Sequence, residues 1–275
     1  MTVSPKVAII GYGYVGQAMQ RVFPDAVIFD EPKGMGSREA VNRCDVGIIC
    51  VPTPAARDGS CDISIVEGVV QWLQTPLVII KSTISPGTTD RLRETYKKRI
   101  VFVPEFIGEG KYFVPYWKYP HPTDMRYHNF FIVSGPAEDT REIVDLFLPI
   151  FGPDRIYRQV PAKLAELMKY MENAWAAMKV TFCNEFYDMA EAMGLDYREL
   201  RELWLLDSRV ERMHTAVFPQ KRGFGGKCFP KDVAAVIHAS RSHGYEPKLL
   251  EAMVEANNRF ATAHHSQILE NIRIR

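Results

Sequence analysis

Residues 6–16 read KVAIIGYGYVG: an unbroken apolar run, then three glycines at the spacing G-x-G-x-x-G, followed by the helical stretch QAMQRVF (17–23). A buried strand that enters a helix through such a turn is half of a mononucleotide-binding unit. Gly11 permits the tight turn, Gly13 lets a pyrophosphate approach the backbone, Gly16 allows close helix packing, and the helix N-terminus favours phosphate charge. The next strand, AVIFD (26–30), ends in Asp30. Its carboxylate can accept hydrogen bonds from a ribose hydroxyl and would repel a 2′-phosphate, which favours NAD over NADP, and nearby Lys33 tempers that preference. Gly11, Gly13, Tyr14, Val15, Gly16, Asp30 and Lys33 are therefore the expected cofactor-binding residues. The glycine pattern alone also fits a purely structural turn; the strand, helix and acid around it are what favour a dinucleotide.

Working outward, most of the β-rich runs VGIICV (46–51), PLVIIKS (76–82), IVFVPE (100–105), NFFIVSG (129–135) and RIYRQV (155–160) are nearly continuous in apolar residues. Strands buried on both faces have this composition, so the fold class is α/β, with a Rossmann-type doubly wound, mostly parallel sheet. The character changes near Val160. From Ala162 to about Met193 the chain has neither Gly nor Pro and is rich in Ala, Leu, Met, Glu and Lys, which predicts one long central helix. More helices follow and no further strand. The expected domains are residues 1–160, a Rossmann domain for NAD, and 161–275, an all-helical domain. Residues 111–128, with three prolines and no clear period, read as a structured loop beside a site or as a surface excursion.

Bulk properties narrow the function. Lys+Arg number 34 against Asp+Glu 33, a net charge of +1, so nothing points to nucleic acid or an anionic membrane. No stretch approaches the ~20 apolar residues that span a bilayer. The five cysteines are odd in number and include no C-x-x-C pair, which argues against disulfides and structural zinc and fits a reducing cytoplasm. No metal is expected.

Strand ends supply further candidates. Pro52 and Thr53 in VPTP, Thr83 in KSTISPGTT, and Glu105, Phe106 and Glu109 in PEFIGEG fall where strand gives way to loop, the edge at which open α/β sheets bind ligands. Helix capping for the threonines and a solvated turn for the glutamates are the plain alternatives. On the long helix Lys169 and Asn173 share a face, and Asn184 returns near the same direction. That polar stripe faces a cavity if the helix is central; otherwise Lys169 pairs with Glu166 or Glu172 in solvent. Cys228, in GFGGKCFPKD (223–232), follows a glycine turn and precedes Pro230 at a helix start. Most lone cysteines are inert small hydrophobes, but backbone amides and the flanking Lys227 and Lys231 can stabilise a thiolate here. An NAD site and an activated thiol together open a route in which an aldehyde is captured as a thiohemiacetal, oxidised to a thioester and released by water as an acid.

GYGYVG, VPTP, KSTISPGTT, PEFIGEG, AELMKYMENAWAAMKVTFCNE and GFGGKCFPKD, in this order, resemble the UDP-glucose/GDP-mannose dehydrogenase family over nearly the whole chain. The resemblance implies an NAD-binding Rossmann domain, a central helical dimerisation domain that makes residues 162–193 a homodimer helix, and oxidation of a nucleotide sugar's C6 alcohol to a carboxylate with two NAD. It implies Cys228 as the nucleophile, Lys169 and Asn173 as stabilisers of the oxyanion, Glu105 in acid/base work, and Asp232 with Thr83 positioning a water. Glu109 and Lys231 would lie near the nicotinamide, and Gly225 with Glu105 and Phe106 near the sugar. PEF in place of PER leans toward UDP-glucose or GDP-mannose. The family continues into a nucleotide-sugar domain where this sequence stops at Arg275. Either the chain is truncated, or it is a short form that binds a different or smaller substrate, or a partner supplies the missing half of the site. The aromatics of residues 111–128, and Lys221 with Arg222, then either hold a base or a phosphate or have a plain surface role. Two rivals stay open: a two-electron hydroxyacid dehydrogenase of similar plan, and a non-catalytic NAD-binding regulatory or interaction protein.

Overall fold

The computed structural model describes residues 5–107 and 124–260. Packing divides the chain into two units, Met1–Thr53 with Asp62–Leu167, and Pro54–Cys61 with Met168–Arg275.

In the first unit, each of the seven apolar runs forms a strand: β1 (Val7–Ile10), β2 (Val27–Phe29), β3 (Val46–Ile49), β4 (Leu77–Ile80), β5 (Ile100–Phe102), β6 (Phe130–Ser134) and β7 (Ile156–Val160). They make one sheet in the order β2-β1-β3-β4-β5-β6-β7. All neighbours are parallel except β5 and β6. Every residue of β1, β3, β4 and β5 is buried. Alternation along each strand sorts the apolar residues onto two faces. Val7, Ile9, Ile48, Ile79 and Val101 face one core with Met19 and Val22 of α1 (Tyr14–Val22) and Ile143 and Phe147 of α5 (Ala137–Phe151). Ala8, Ile10, Ile49, Ile80 and Phe102 face the other, with Val41 of α2 (Arg38–Val41), Val66 and Val70 of α3 (Ser64–Trp72) and Leu92 of α4 (Thr88–Tyr96). Two-sided burial is why these strands carry no alternating polar residues. The chain reverses its winding between β1 and β3, which puts a crevice at the carboxyl ends of the strands.

The long helix expected from residue 162 is α6 (Ala162–Ala192), and the division between the units falls within it. Its fifth residue is the buried Glu166. Glu166 Oε1 accepts from the Thr89 backbone N–H at 2.8 Å and the Thr89 hydroxyl at 2.6 Å, and Oε2 accepts from the Gly87 N–H at 2.5 Å. Gly87, the N-cap of α4, has no side chain to do this. Glu166 caps α4 from another element. Burial pushes its carboxyl above the usual range, while the three donors pull the other way.

The second unit consists of the rest of α6 with α7 (Tyr197–Trp204), α8 (Phe229–Ser242) and α9 (Lys248–Phe260), joined by Pro54–Cys61. Ala174 and Ala177 of α6 pack with Val233, Ala234 and Ile237 of α8 and Met253 and Val254 of α9. Small side chains let these helices approach closely.

Replacing Glu166 with Ala leaves three buried donors without an acceptor and should destabilise the fold by about 2 kcal/mol in urea denaturation, with Glu166→Gln losing less.

Candidate active site

The turn after β1 separates three glycines by cause. A side chain at Gly11 (φ +92°) would strike the Cys50 carbonyl carbon and oxygen at 2.8 Å, and one at Gly16 would lie 2.1 Å from the Gly11 carbonyl oxygen. Both are glycine because protein backbone occupies the space. At Gly13 a Cβ would meet nothing within 4 Å. Gly13 is also the N-cap of α1, which has no side-chain cap, so the opening amides of that helix point at open space. A dinucleotide phosphate fits this arrangement.

Asp30 caps a short 3-10 turn over Glu31–Lys33. Its carboxylate accepts from the Tyr12 N–H at 2.7 Å and the Lys33 N–H at 3.1 Å, which clamps the glycine turn to the tip of β2. The Lys33 ammonium turns onto the Tyr12 carbonyl oxygen and over its ring. Tyr14 is exposed, and Val15 packs on the core.

The carboxyl ends of β3, β4 and β5 are cross-tied. The buried Thr53 hydroxyl donates to the Thr83 carbonyl at 2.7 Å, and Ser82 donates to the Val51 carbonyl at 2.6 Å. Thr53 is thus a tie between strand ends and not a helix cap. Lys81, which sequence reasoning passed over, is fully buried and donates to the Pro104 carbonyl at 3.1 Å, immediately before Glu105. The signal was present: an ammonium closing the apolar run LVIIK has no solvent and needs an acceptor. Half-buried Glu105 accepts from the Ile107 N–H at 2.8 Å, and Phe106 packs on Phe130. Burial pushes the neighbouring Cys50 thiol up to about 12, Lys81 lowering it and Glu105 raising it. Pro52 is exposed at this edge, and Glu109 lies outside the described residues, as do residues 111–123 of the expected loop 111–128, whose end forms a 3-10 turn, Met125–Tyr127, capped by Asp124.

In the second unit the residues expected to do chemistry form one chain of bonds. Cys228, half-buried, is the N-cap of α8, with Pro230 in its first turn. One turn on, the Asp232 N–H donates to the Cys228 carbonyl at 3.0 Å. The buried Asp232 carboxylate accepts from Asn173 Nδ2 at 2.5 Å and from Lys231 Nζ at 2.5 Å. Asn173 Oδ1 in turn accepts from the buried Lys169 at 3.4 Å, and Lys169 pairs with Glu172 at 2.9 Å. Thus the face of Lys169 and Asn173 is buried, and Lys169 pairs with the exposed Glu172 without itself reaching solvent as the sequence alternative had it. Asn184 points elsewhere: its Oδ1 accepts from Arg222 Nε at 2.6 Å and the Gly223 N–H at 3.2 Å. Arg222, expected at the substrate, bonds Asn184 and Asp188 and lies over the Tyr187 ring. Gly225 is half-buried and Lys221 exposed.

His214 carried no signal in the sequence. It holds a left-handed backbone (φ +63°), and its ring meets Phe229, the residue after Cys228, edge-on at 5.3 Å. Burial, then the charge of Lys179, lowers its pKa to about 4, so the imidazole is neutral at pH 7. Among the described residues no group of three His, Cys, Asp or Glu is placed to hold a metal ion, and no helix is long and apolar enough to cross a membrane.

Two family models match: the UDP-glucose/GDP-mannose dehydrogenase family NAD binding domain over residues 34–120, and that family's central domain over 163–259. The chain belongs to the UDP-glucose/GDP-mannose dehydrogenase family. Its cofactor is NAD, as that NAD binding domain indicates. The UDP-glucose 6-dehydrogenase AglM of Haloferax volcanii is 32% identical over 238 residues, spanning 78% of this chain and 52% of that protein. The chain therefore covers about half the length of the curated family members it matches. Two solved structures share the fold. A UDP-glucose dehydrogenase from Pyrobaculum islandicum superposes with a TM-score of 0.77 at 24% identity, over 94% of this chain and 69% of that one. A 3-hydroxyisobutyrate dehydrogenase from Mycobacterium tuberculosis does so with 0.65 at 18% identity, over 99% and 100%.

The two kinds of glycine in this family's turn should separate by experiment. Gly16→Ala is expected to abolish stable folding, whereas Gly13→Ala keeps the wild-type melting curve and weakens NAD binding by about tenfold or more in titration calorimetry.

Proposed function

We propose that this chain carries the NAD-dependent oxidation of a nucleotide sugar's C6 alcohol to the carboxylate, of the UDP-glucose to UDP-glucuronate type, through a covalent bond to Cys228. The observation that carries the reading is the thiol at the N-terminus of α8, one turn from an Asp232 bonded to Asn173 and through it to Lys169. A two-electron alcohol oxidation has no use for a nucleophile, whereas a four-electron oxidation to an acid can use one to hold the aldehyde as a thiohemiacetal for the second oxidation.

Gly11, Gly13, Gly16 and Asp30 would hold NAD, with Tyr14, Val15, Pro52, Thr53 and Lys33 about it. Bound there, NAD accepts a hydride in each of two oxidations. After the first, the Cys228 sulfur would bond to the aldehyde carbon, and the carbonyl oxygen would take up charge for the Lys169 ammonium and the Asn173 amide to stabilise. The second oxidation leaves a thioester. Water adds to its carbon, the C–S bond breaks, and the carboxylate and the Cys228 thiol are released. Glu105 takes the proton from that water, with Asp232 and Thr83 holding it. Gly225 and Phe106 would face the sugar, and Glu109 and Lys231 the nicotinamide. Sequence composition supports a cytoplasmic setting.

A homodimer through α6 belongs to the same reading. Met171, Trp175, Phe182, Phe186 and Met189 are exposed at helical spacing, and Trp204 of α7 extends the patch beside Phe182. An apolar stripe of this length on one helix fits a second copy of itself. The alternative, a two-electron hydroxyacid dehydrogenase, is favoured by the fold shared end to end with the 3-hydroxyisobutyrate dehydrogenase.

Incubation with UDP-glucose or GDP-mannose should yield two NADH per sugar and a trappable Cys228 adduct, and Cys228→Ser should stop the reaction short of the acid. One NADH per substrate, insensitive to Cys228→Ser, would support the two-electron reading, and tight NAD binding without turnover the regulatory one. Trp175→Glu with Phe182→Glu should halve the mass measured by light scattering on a sizing column.

A further inference from the structure

The glycine turn before Cys228 cannot order itself. Gly223 and Gly226 are both left-handed, at φ +73° and +78°, and glycine loses more backbone freedom on ordering than any other residue. Two buried asparagines on two helices impose the order. Asn257 of α9, with no exposed surface, accepts the Phe224 N–H on Oδ1 at 2.6 Å and donates from Nδ2 to the Phe224 carbonyl at 3.2 Å. One carboxamide thereby satisfies both backbone groups of one turn residue, as a neighbouring strand would. Asn184 of α6 accepts the Gly223 N–H and Arg222 Nε on Oδ1, and its Nδ2 returns to the Val180 carbonyl at 2.8 Å. Turning either amide over would set donor against donor, so both orientations follow from the bonds.

The clamp also explains a glycine. A Cβ at Gly223 would lie 2.7 Å from Asn257 Oδ1, so the turn and the asparagine require each other. Phe224, the residue that Asn257 holds, is buried among Ala174, Val233 and Met253. Cys228 is then held from both directions, by this anchored turn before it and by the packed, Asn173-bonded α8 after it.

We infer that Asn184 and Asn257 are positioning residues for Cys228, acting through the Arg222–Gly226 turn, with Arg222 part of that framework. The inference deepens the reading of Cys228 as the nucleophile and rests on it. The two sites differ in the atoms they use. At 184 only the oxygen reaches the turn, while Nδ2 returns to the Val180 carbonyl of its own helix, so Asp keeps the hold on Gly223 and Arg222; at 257 donor and acceptor both go to Phe224, and Asp would set an oxygen against the Phe224 carbonyl.

The test compares Asn184→Ala, Asn184→Asp, Asn257→Ala and Asn257→Asp in the full chain. Three quantities are measured: the rate of Cys228 alkylation by iodoacetamide, from its peptide mass; the NADH yield per UDP-glucose; and the melting temperature. Asn184→Asp should match wild type in alkylation and yield. The other three should depart in alkylation rate by about tenfold, the scale on which small misplacements of a reacting group act, and their yield should fall from two toward one. If an Ala variant does not fold, the two Asp variants alone decide. Asn257→Asp with wild-type alkylation, whatever its melting temperature, overturns the inference, and so does Asn184→Asp failing as badly as Asn184→Ala. Alkylation requires no turnover, so the outcome stands apart from whether wild type makes two NADH.

Discussion

Asp232 is a carboxylate with almost no contact with water, and a buried charge must be met by donors or not exist. Here the donors are Asn173 on one helix and Lys231 on the next residue. That requirement sets the register of α8 against α6, because only one turn of each helix brings carboxylate and amide together. The position of Cys228 follows, since it begins the helix that Asp232 anchors. Lys169 comes with Asn173, four residues away on the same face. The chemistry-bearing residues of the helical unit are thus consequences of one buried hydrogen bond.

The sheet unit works by exclusion of volume. Gly11 and Gly16 are small because backbone fills the space beside them, and Gly13 is small where the protein leaves room. A parallel sheet buried on both faces then brings the ends of β1, β3, β4 and β5 to one edge, where side chains tie strand to strand. The tie from Lys81 to Pro104 meets the same need as the bonds at Asp232: a charge without solvent finds a partner, here a backbone carbonyl next to Glu105.

Much of this was legible in residues alone. Seven apolar runs became seven strands, the Gly-free and Pro-free stretch became α6, and Pro230 marked the start of α8. Three features were not. Arg222 looked like a phosphate ligand because sequence shows its charge and not its partners, Asn184 and Asp188. The left-handed backbone of His214 has no local cause; the buried Thr215 beside it is held by Tyr197 and Arg201 from α7. Asn257 left a faint mark, one polar residue among the apolar positions Met253 and Val254 of its helix, but its partner lies 33 residues away.

By itself the sequence determined the α/β-then-helical order, the glycine turn that follows the first strand and the candidates for the reactive side chains. Apolar period, glycine and proline act within a few residues of themselves, so their effects can be read locally. Only the tertiary structure decided which polar side chains meet. Whether Asn173 faces Asp232, Asn257 faces Phe224, or Glu166 caps α4 depends on how helices distant in sequence pack, and each pairing is enforced by the cost of burying a polar group without a partner.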